Sequence, residues 1–261
     1  MKQHLERGVL HVTLARPEKR NALTFAMCRE LVAAFEQAEA DPKIGAVLLE
    51  AEGKSFCAGM DLDEALSPGA ADQAAVHEEL FTVGLRLRKP IVAAVQGAAL
   101  GGGTGLVANA HIAVACEEAM FGLTEVRLGL WPFVVFRAAA WAVGERQALE
   151  LALTGRTFGA AEALRLGLIH EVAPASLLAE RAANLAVALA SSSREALRLG
   201  LEFVHRTRGL SLAEAAPIAS AFRARAFASP DFAEGVRAFR EKRPPRWPSH
   251  AAGSSPQDHN Q

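Results

Sequence analysis

Two hydrophobic rhythms organise the chain. Residues 8–15 alternate polar and apolar positions, with Leu10, Val12 and Leu14 on one face, which predicts a strand buried on one side. A charged turn follows at Arg16-Pro17-Glu18-Lys19-Arg20-Asn21. Thr24 then stands where a hydroxyl can cap a helix, and Met27, Leu31, Ala34, Phe35 and Ala38 recur at helical spacing up to Asp41-Pro42. Residues 44–50 form a near-continuous apolar run, the pattern of a parallel strand covered on both faces. Strand, helix and strand are therefore expected before residue 51.

The alternation continues with a glycine-bearing loop at 52–60, a helix near 71–88, a strand at 91–95, a glycine turn, a short helix to about 109 and a strand at 111–116. Residues 91–116 carry no formal charge and are long enough to cross a bilayer as one helix, but Gln96, Thr104, Asn109, His111 and the glycines at 97, 101, 102, 103 and 105 divide them into strand, turn, helix and strand. Beyond residue 134 β-branched runs nearly vanish. Alanine-rich amphipathic stretches at 134–153, 159–166, 176–190, 193–207, 211–228 and 230–241 predict helices, so the first two thirds read as α/β and the remainder as helical. Neither a fixed-period repeat nor an internal linker interrupts the chain, whereas 249–261 has the composition of a disordered tail.

Charge narrows the partners. The chain has 261 residues with 28 Lys plus Arg against 29 Asp plus Glu, a net charge of −1 spread along its length, so neither a nucleic acid nor a membrane surface is expected as a partner. Three cysteines without a CxxC pair, and an N-terminal stretch lacking the apolar centre of a signal peptide, point to a reducing compartment, the cytoplasm. The eight histidines include no HExxH and no pair at i, i+4, so no metal is expected.

Glycine-rich loops carry the candidate chemistry. Gly53-Lys54-Ser55 fails the phosphate-loop pattern because Leu48 occupies the first glycine position. Gly103-Thr-Gly105-Leu-Val-Ala108 fits GxGxxA, yet Glu117 comes too early for the acidic residue of a dinucleotide site. The loops 55–62 and 99–106 each follow an expected strand and precede a helix. Their small residues either permit tight turns and close packing, or present two backbone N–H groups to one carbonyl oxygen as an oxyanion hole.

Five ordered blocks resolve that choice: Arg16-Pro-Glu-Lys-Arg-Asn-Ala-Leu23, Gly53-Lys-Ser-Phe-Cys-Ala-Gly-Met-Asp-Leu62, Ala98-Ala-Leu-Gly-Gly-Gly103, Phe121-Gly-Leu-Thr-Glu125 through Gly129, and Phe239-Arg-Glu-Lys-Arg-Pro244. Across residues 8–244 the chain resembles the enoyl-CoA hydratase/isomerase (crotonase) superfamily. The resemblance implies a crotonase-like spiral of repeated β-β-α units, an α/β core over 1–190, and a helical region over 191–248 for trimerisation and coenzyme A contact. It also implies a homotrimer or a dimer of trimers.

The same resemblance assigns roles. The N–H groups of Met60 and Gly102 would bind the thioester oxygen of an acyl-CoA and stabilise its enolate. Ala58, Asp61 and Leu62 would frame the thioester and pantetheine, Lys19, Arg20 and Ala22 would lie against coenzyme A, and Phe239 and Lys242 would contact its adenine end in a neighbouring subunit. Glu125, flanked by Leu123, Val126 and Leu128, would transfer the proton. The family's second glutamate falls at Gly105, with Asp61, Glu78 and Glu79 as nearby substitutes. Trp131, Phe133 and Phe136 either wall the acyl pocket or belong to the core. His111 reads as structural, and Cys57 lacks the histidine a covalent nucleophile needs. The expected activity is hydration of a 2-enoyl-CoA, with Δ3,Δ2-enoyl-CoA isomerisation by a single glutamate, or acyl-CoA binding without catalysis, as alternatives. No cofactor is expected, coenzyme A being part of the substrate.

Overall fold

The computed structural model of the chain describes residues 1–69, 75–84 and 86–251. Its larger sheet has six strands in the order β1 (Lys2–Glu6), β2 (Val9–Leu14), β3 (Ala46–Ala51), β4 (Ile91–Val95), β6 (Ile112–Cys116) and β9 (Glu171–Ala173). A smaller sheet takes the strands between and beyond: β5 (Ala98–Leu100), β7 (Met120–Gly122) and β8 (Phe158–Gly159). β1 runs antiparallel to β2, and the other pairs of the large sheet are parallel.

Local chemistry explains most boundaries. The Thr24 hydroxyl accepts from Met27 N at 3.1 Å and caps α1 (Phe25–Ala40), whose buried stripe of Met27, Leu31, Ala34, Phe35 and Ala38 is the one the sequence predicts. Ala46 to Leu49 are all buried, as a strand covered on both faces requires. The uncharged stretch 91–116 divides into β4, β5, α4 (Gly102–Asn109) and β6, and among the described residues no helix is long and apolar enough to cross a membrane. α2 (Leu62–Ala65) and α3 (Ala75–Val83) lie between; the expected helix near 71–88 falls partly outside the described residues.

A strand-strand-helix unit is visible twice. β4, β5 and α4 form one, and β6, β7 and α5 (Phe133–Val143) form the next, each sending its first strand to the large sheet and its second to the small one. This places the turn after β5 and the turn after β7 at the same end of the small sheet, because β5 and β7 are parallel neighbours, with Leu100 beside Gly122.

Several elements depart from the expected pattern. β1 is a wholly exposed polar segment that becomes a strand only because Arg7 and Gly8, both at positive φ, close a two-residue hairpin onto β2. The expected single helix over 134–153 is two, α5 and α6 (Glu145–Thr154), broken at Gly144 with φ +84. The stretch beyond residue 134, expected as helices, also contains β8 and β9, segments of two and three residues fixed by pairing with β7 and β6. The later helices, α7 (Ala160–Leu166), α8 (Leu178–Ala190), α9 (Arg194–Thr207), α10 (Leu212–Phe227) and α11 (Pro230–Glu241), match expectation closely. Ser249, placed by composition in a disordered tail, instead belongs to α12 (Pro248–Ala251): its N–H and hydroxyl donate to Asp231 at 2.9 and 2.6 Å. Residues 252–261 lie outside the described residues.

His111 is structural, as expected. Its Nδ1 accepts from Ile91 N at 2.9 Å, and burial, aided by the nearby His205 and Arg208, pushes its pKa down from 6.5 to about 4. The unfolded chain thus takes up this proton at a higher pH than the folded chain, and stability is lost as the pH falls from 6.5 toward 4. Through this group alone the loss reaches about 1.4 kcal/mol at pH 5.5. In urea unfolding at pH 7.5 and pH 5.5, wild type should lose about this much more stability than His111→Gln does.

Candidate active site

The two glycine-bearing loops meet backbone to backbone. Cys57 bridges Ala99 in parallel, with Cys57 N donating to Ala98 O at 3.0 Å and Leu100 N to Cys57 O at 2.9 Å. A Cβ on Gly103 would overlap the Cys57 carbonyl, and one on Gly97 would fall on the Lys54 carbonyl, so only glycine permits this approach. The site where a Gly59 Cβ would stand is 3.5 Å from Gly102 N.

A third segment holds the first loop from its other side. Leu23 N donates to Gly59 O at 2.7 Å and Asp61 N donates to Leu23 O at 2.9 Å. Because Leu23 engages residues 59 and 61, the N–H of Met60 points away from it, by the alternation of strand backbones. Gly102 opens α4, where helix geometry leaves its N–H without an internal acceptor. Among the described residues neither the Met60 nor the Gly102 N–H has a hydrogen-bond partner. Two free donors therefore stand on adjoining loops, one of them at the positive end of a helix dipole.

Glu125 faces these loops across the small sheet. Its Oε1 lies 3.1 Å from where a Cβ on Gly101 would be, so the carboxyl rests on the Gly101 backbone. Glu125 Oε2 is buried without a hydrogen-bond partner. Burial pushes the carboxyl above its ordinary pKa, opposed weakly by its own backbone N–H. A buried, unpartnered carboxyl oxygen costs stability unless a ligand or proton uses it, which marks Glu125 as chemically poised.

The second-glutamate position is not merely without a side chain. A Cβ on Gly105 would lie 2.5 Å from Val135 Cγ1 and 2.7 Å from Phe81 Cε1, so those two side chains occupy the space. None of the candidate substitutes fills the gap. Glu78 and Glu79 are exposed on the face of α3 opposite buried Leu80 and Phe81. Asp61 is only 5% exposed and committed: it pairs with Arg16, and its Oδ1 caps α2 by accepting from Asp63 N at 3.0 Å and Glu64 N at 3.3 Å. The Arg16 guanidinium holds the Asp61 carboxyl below the usual carboxylate range. The Asp61 side chain thus braces the loop.

The remaining candidates divide. Ala58 and Ala22 are half-buried on the loop surfaces, and Ala58 N donates to Arg20 O at 3.0 Å. Lys19 and Arg20 are exposed, Lys19 reaching Asp63 at 3.3 Å, and Leu62 is exposed beside them at the start of α2. Trp131 packs against Phe136 and the core. Phe133 is 73% exposed, because the inward positions of α5 are Val135 and Ala139, four apart. Phe239 and Lys242 sit at the end of α11, exposed. Cys57 is fully buried and its thiol is pushed up to about 12 by burial, which removes it as a nucleophile.

Sequence reasoning gave no role to Asn21. It is completely buried at φ +54, its Oδ1 accepts from Arg16 N at 2.8 Å, and its Nδ2 donates to Glu52 O and Ser55 O, both at 2.9 Å. Its place in the Arg16–Leu23 block was the only available signal.

Comparison with known proteins extends these observations. A family profile described as Enoyl-CoA hydratase/isomerase matches residues 4–250. A Thermus thermophilus protein provisionally named an enoyl-CoA hydratase is 39% identical over 250 residues, covering 93% of this chain and 99% of that protein. A mevalonyl-coenzyme A hydratase of Aspergillus fumigatus is 36% identical over 248 residues, covering 92% and 91%. Among solved structures, an enoyl-CoA hydratase of Mycobacterium smegmatis superposes with a TM-score of 0.89 at 33% identity, covering 94% of this chain and 98% of that one.

Removing the Asn21 amide leaves three backbone groups, Arg16 N, Glu52 O and Ser55 O, without their partner. Asn21→Ala should cost about 2 kcal/mol or more in chemical denaturation. Amide exchange in residues 53–60 should accelerate at the same time.

Proposed function

The chain belongs to the enoyl-CoA hydratase/isomerase family, and on that footing we propose that it is an enzyme acting on the thioester of an acyl-CoA, with hydration of a 2-enoyl-CoA as its reaction. The observation that carries this reading is the pair of unpartnered N–H groups, Met60 and Gly102, beside an unpartnered buried carboxyl, Glu125. In the proposed mechanism the thioester oxygen accepts from both N–H groups. As the enolate forms, negative charge moves onto that oxygen, and each donor of this kind is worth about 2.7–4 kcal/mol in the transition state. The enolate forms as water adds to the β carbon and gives its proton to Glu125, which then delivers that proton to the α carbon; the raised pKa brings Glu125 toward the range where a carboxylic acid can both give and take a proton. The chemistry requires no cofactor beyond the coenzyme A of the substrate.

Coenzyme A is a polyanion and the chain is nearly neutral, so local cations must hold it. Lys19 and Arg20 serve the same subunit's ligand in this reading, and Phe239 and Lys242 serve a neighbour's. A trimer, or a pair of trimers, suits the exposed apolar residues Leu128, Phe133, Trp141, Leu153 and Phe239, and the apolar groove of about 440 Å³ lined by Leu199, Phe232 and Trp247. The division into a core over 1–190 and an oligomerising region over 191–248 goes with this assembly, and a reducing cytoplasm suits three buried free cysteines.

A second reading is favoured by one observation. Val135 and Phe81 fill the space at Gly105, so no second carboxylate there can activate water, and moving a double bond from the 3,4 to the 2,3 position needs only one proton carrier.

Two substrates separate the readings. Crotonyl-CoA should be hydrated, and Glu125→Gln should lower kcat by about 10²–10⁴-fold with a smaller change in KM. Turnover of a 3-enoyl-CoA without hydration of crotonyl-CoA would establish the isomerase instead. Unchanged turnover in Glu125→Gln would remove the proposed proton carrier. Sedimentation velocity should report a trimer or hexamer, and a monomer at assay concentration would overturn the shared-site assignment of Phe239 and Lys242.

A further inference from the structure

We propose that the outer face of the β1–β2 hairpin is a binding site for a divalent transition ion of the zinc class, formed by His4, Glu6 and His11. The three residues are brought together by the hairpin register. His4 lies directly opposite His11 on the neighbouring strand, and Glu6, two positions along β1, shares the face of His4. One ligand atom from each of the three lies within 4.8 Å of the other two. The two imidazoles are stacked with ring centres 4.2 Å apart and planes 18° from parallel. Two nitrogen ligands of a tetrahedral zinc stand about 3.3 Å apart. Small side-chain rotations close that difference, and β1 is exposed throughout, so nothing packed above it resists them.

The surroundings of His11 support the assignment independently. Its Nδ1 is 3.4 Å from Glu50 Oε1 on β3, and the hydroxyl of Thr13 donates to the same oxygen at 3.2 Å. A carboxylate on one ring nitrogen fixes the tautomer and orients the ring, the arrangement that usually backs a metal-binding histidine. Nε2 of His11 is thereby left for the ion. Two imidazoles and one carboxylate suit zinc or a neighbouring transition ion and not magnesium, which prefers oxygen alone. Three protein ligands leave a fourth position for water, and the ion would staple the edge strand to its neighbour.

Titration of the untagged chain with Zn2+ in competition with a chromophoric chelator tests the site. One Zn2+ should bind per chain, and an excess of Mg2+ should not displace it. His4→Ala and His11→Ala should each abolish the saturable binding, and Glu50→Gln, which keeps every direct ligand, should weaken it by about 10-fold. Hydrogen exchange should slow at the β1 amides on addition of Zn2+ in wild type and not in His4→Ala, which sits on an exposed strand and leaves the core intact. Absence of saturable Zn2+ binding, or binding unaltered in both histidine variants, would overturn the proposal.

Discussion

Everything at the candidate site depends on two loops touching through their backbones. The Cys57–Ala99 bridge leaves no room for a side chain at Gly103 or Gly97, and the reward is a pair of free N–H groups on adjoining segments. A side-chain donor could swing away from a ligand; these donors are held by the chain itself. The contact is kept closed from behind by Asn21, which binds the start of the first loop, and by Leu23, which pairs with residues 59 and 61. Arg16 and Asp61 complete the brace, tying the charged turn to the start of α2. Local strain is thereby supported by a part-buried network of Arg16, Asn21 and Asp61, whose hydrogen bonds hold the turn against the loop.

The same economy of space governs the chemistry. Glu125 rests on Gly101, and Phe81 with Val135 fills the position facing Gly105. Dry walls on one side and a free carboxyl oxygen on the other leave Glu125 in a setting where burial disfavours its charged form. An apolar filling there also tightens the packing between α3, α4 and α5, so restoring a carboxylate at residue 105 would have to rebuild that contact as well.

The elements legible in the sequence were those whose signal is local. Thr24 as a cap, the stripe through α1, the apolar runs of β3 and β4, and the amphipathic helices after residue 159 carry their own periodicity. What escaped was set by partners outside the segment itself. β1 has no apolar face and is a strand only because β2 lies beside it; β9 is three residues that pair with Val114 to Cys116. In the site, the glycine loops and Glu125 were visible through their motifs, whereas the commitment of Asp61 to Arg16, the burial of Asn21 and the outward position of Phe133 are decided by packing. The filling of Gly105 belongs to the same class, since Phe81 and Val135 come from helices on either side of it in sequence.

The polar hairpin strand has a consequence for solubility. In the order of the large sheet β1 is an outermost strand, and an outermost strand presents unpaired backbone groups to which a second molecule could add. The next strand inward, β2, alternates Leu10, Val12 and Leu14 toward the core and would be a far more adhesive edge if uncovered. By wrapping it with Lys2, Gln3, His4 and Glu6, the chain ends its sheet in charge and leaves the apolar strands inside, so growth of the sheet from one molecule to the next is discouraged at its first step.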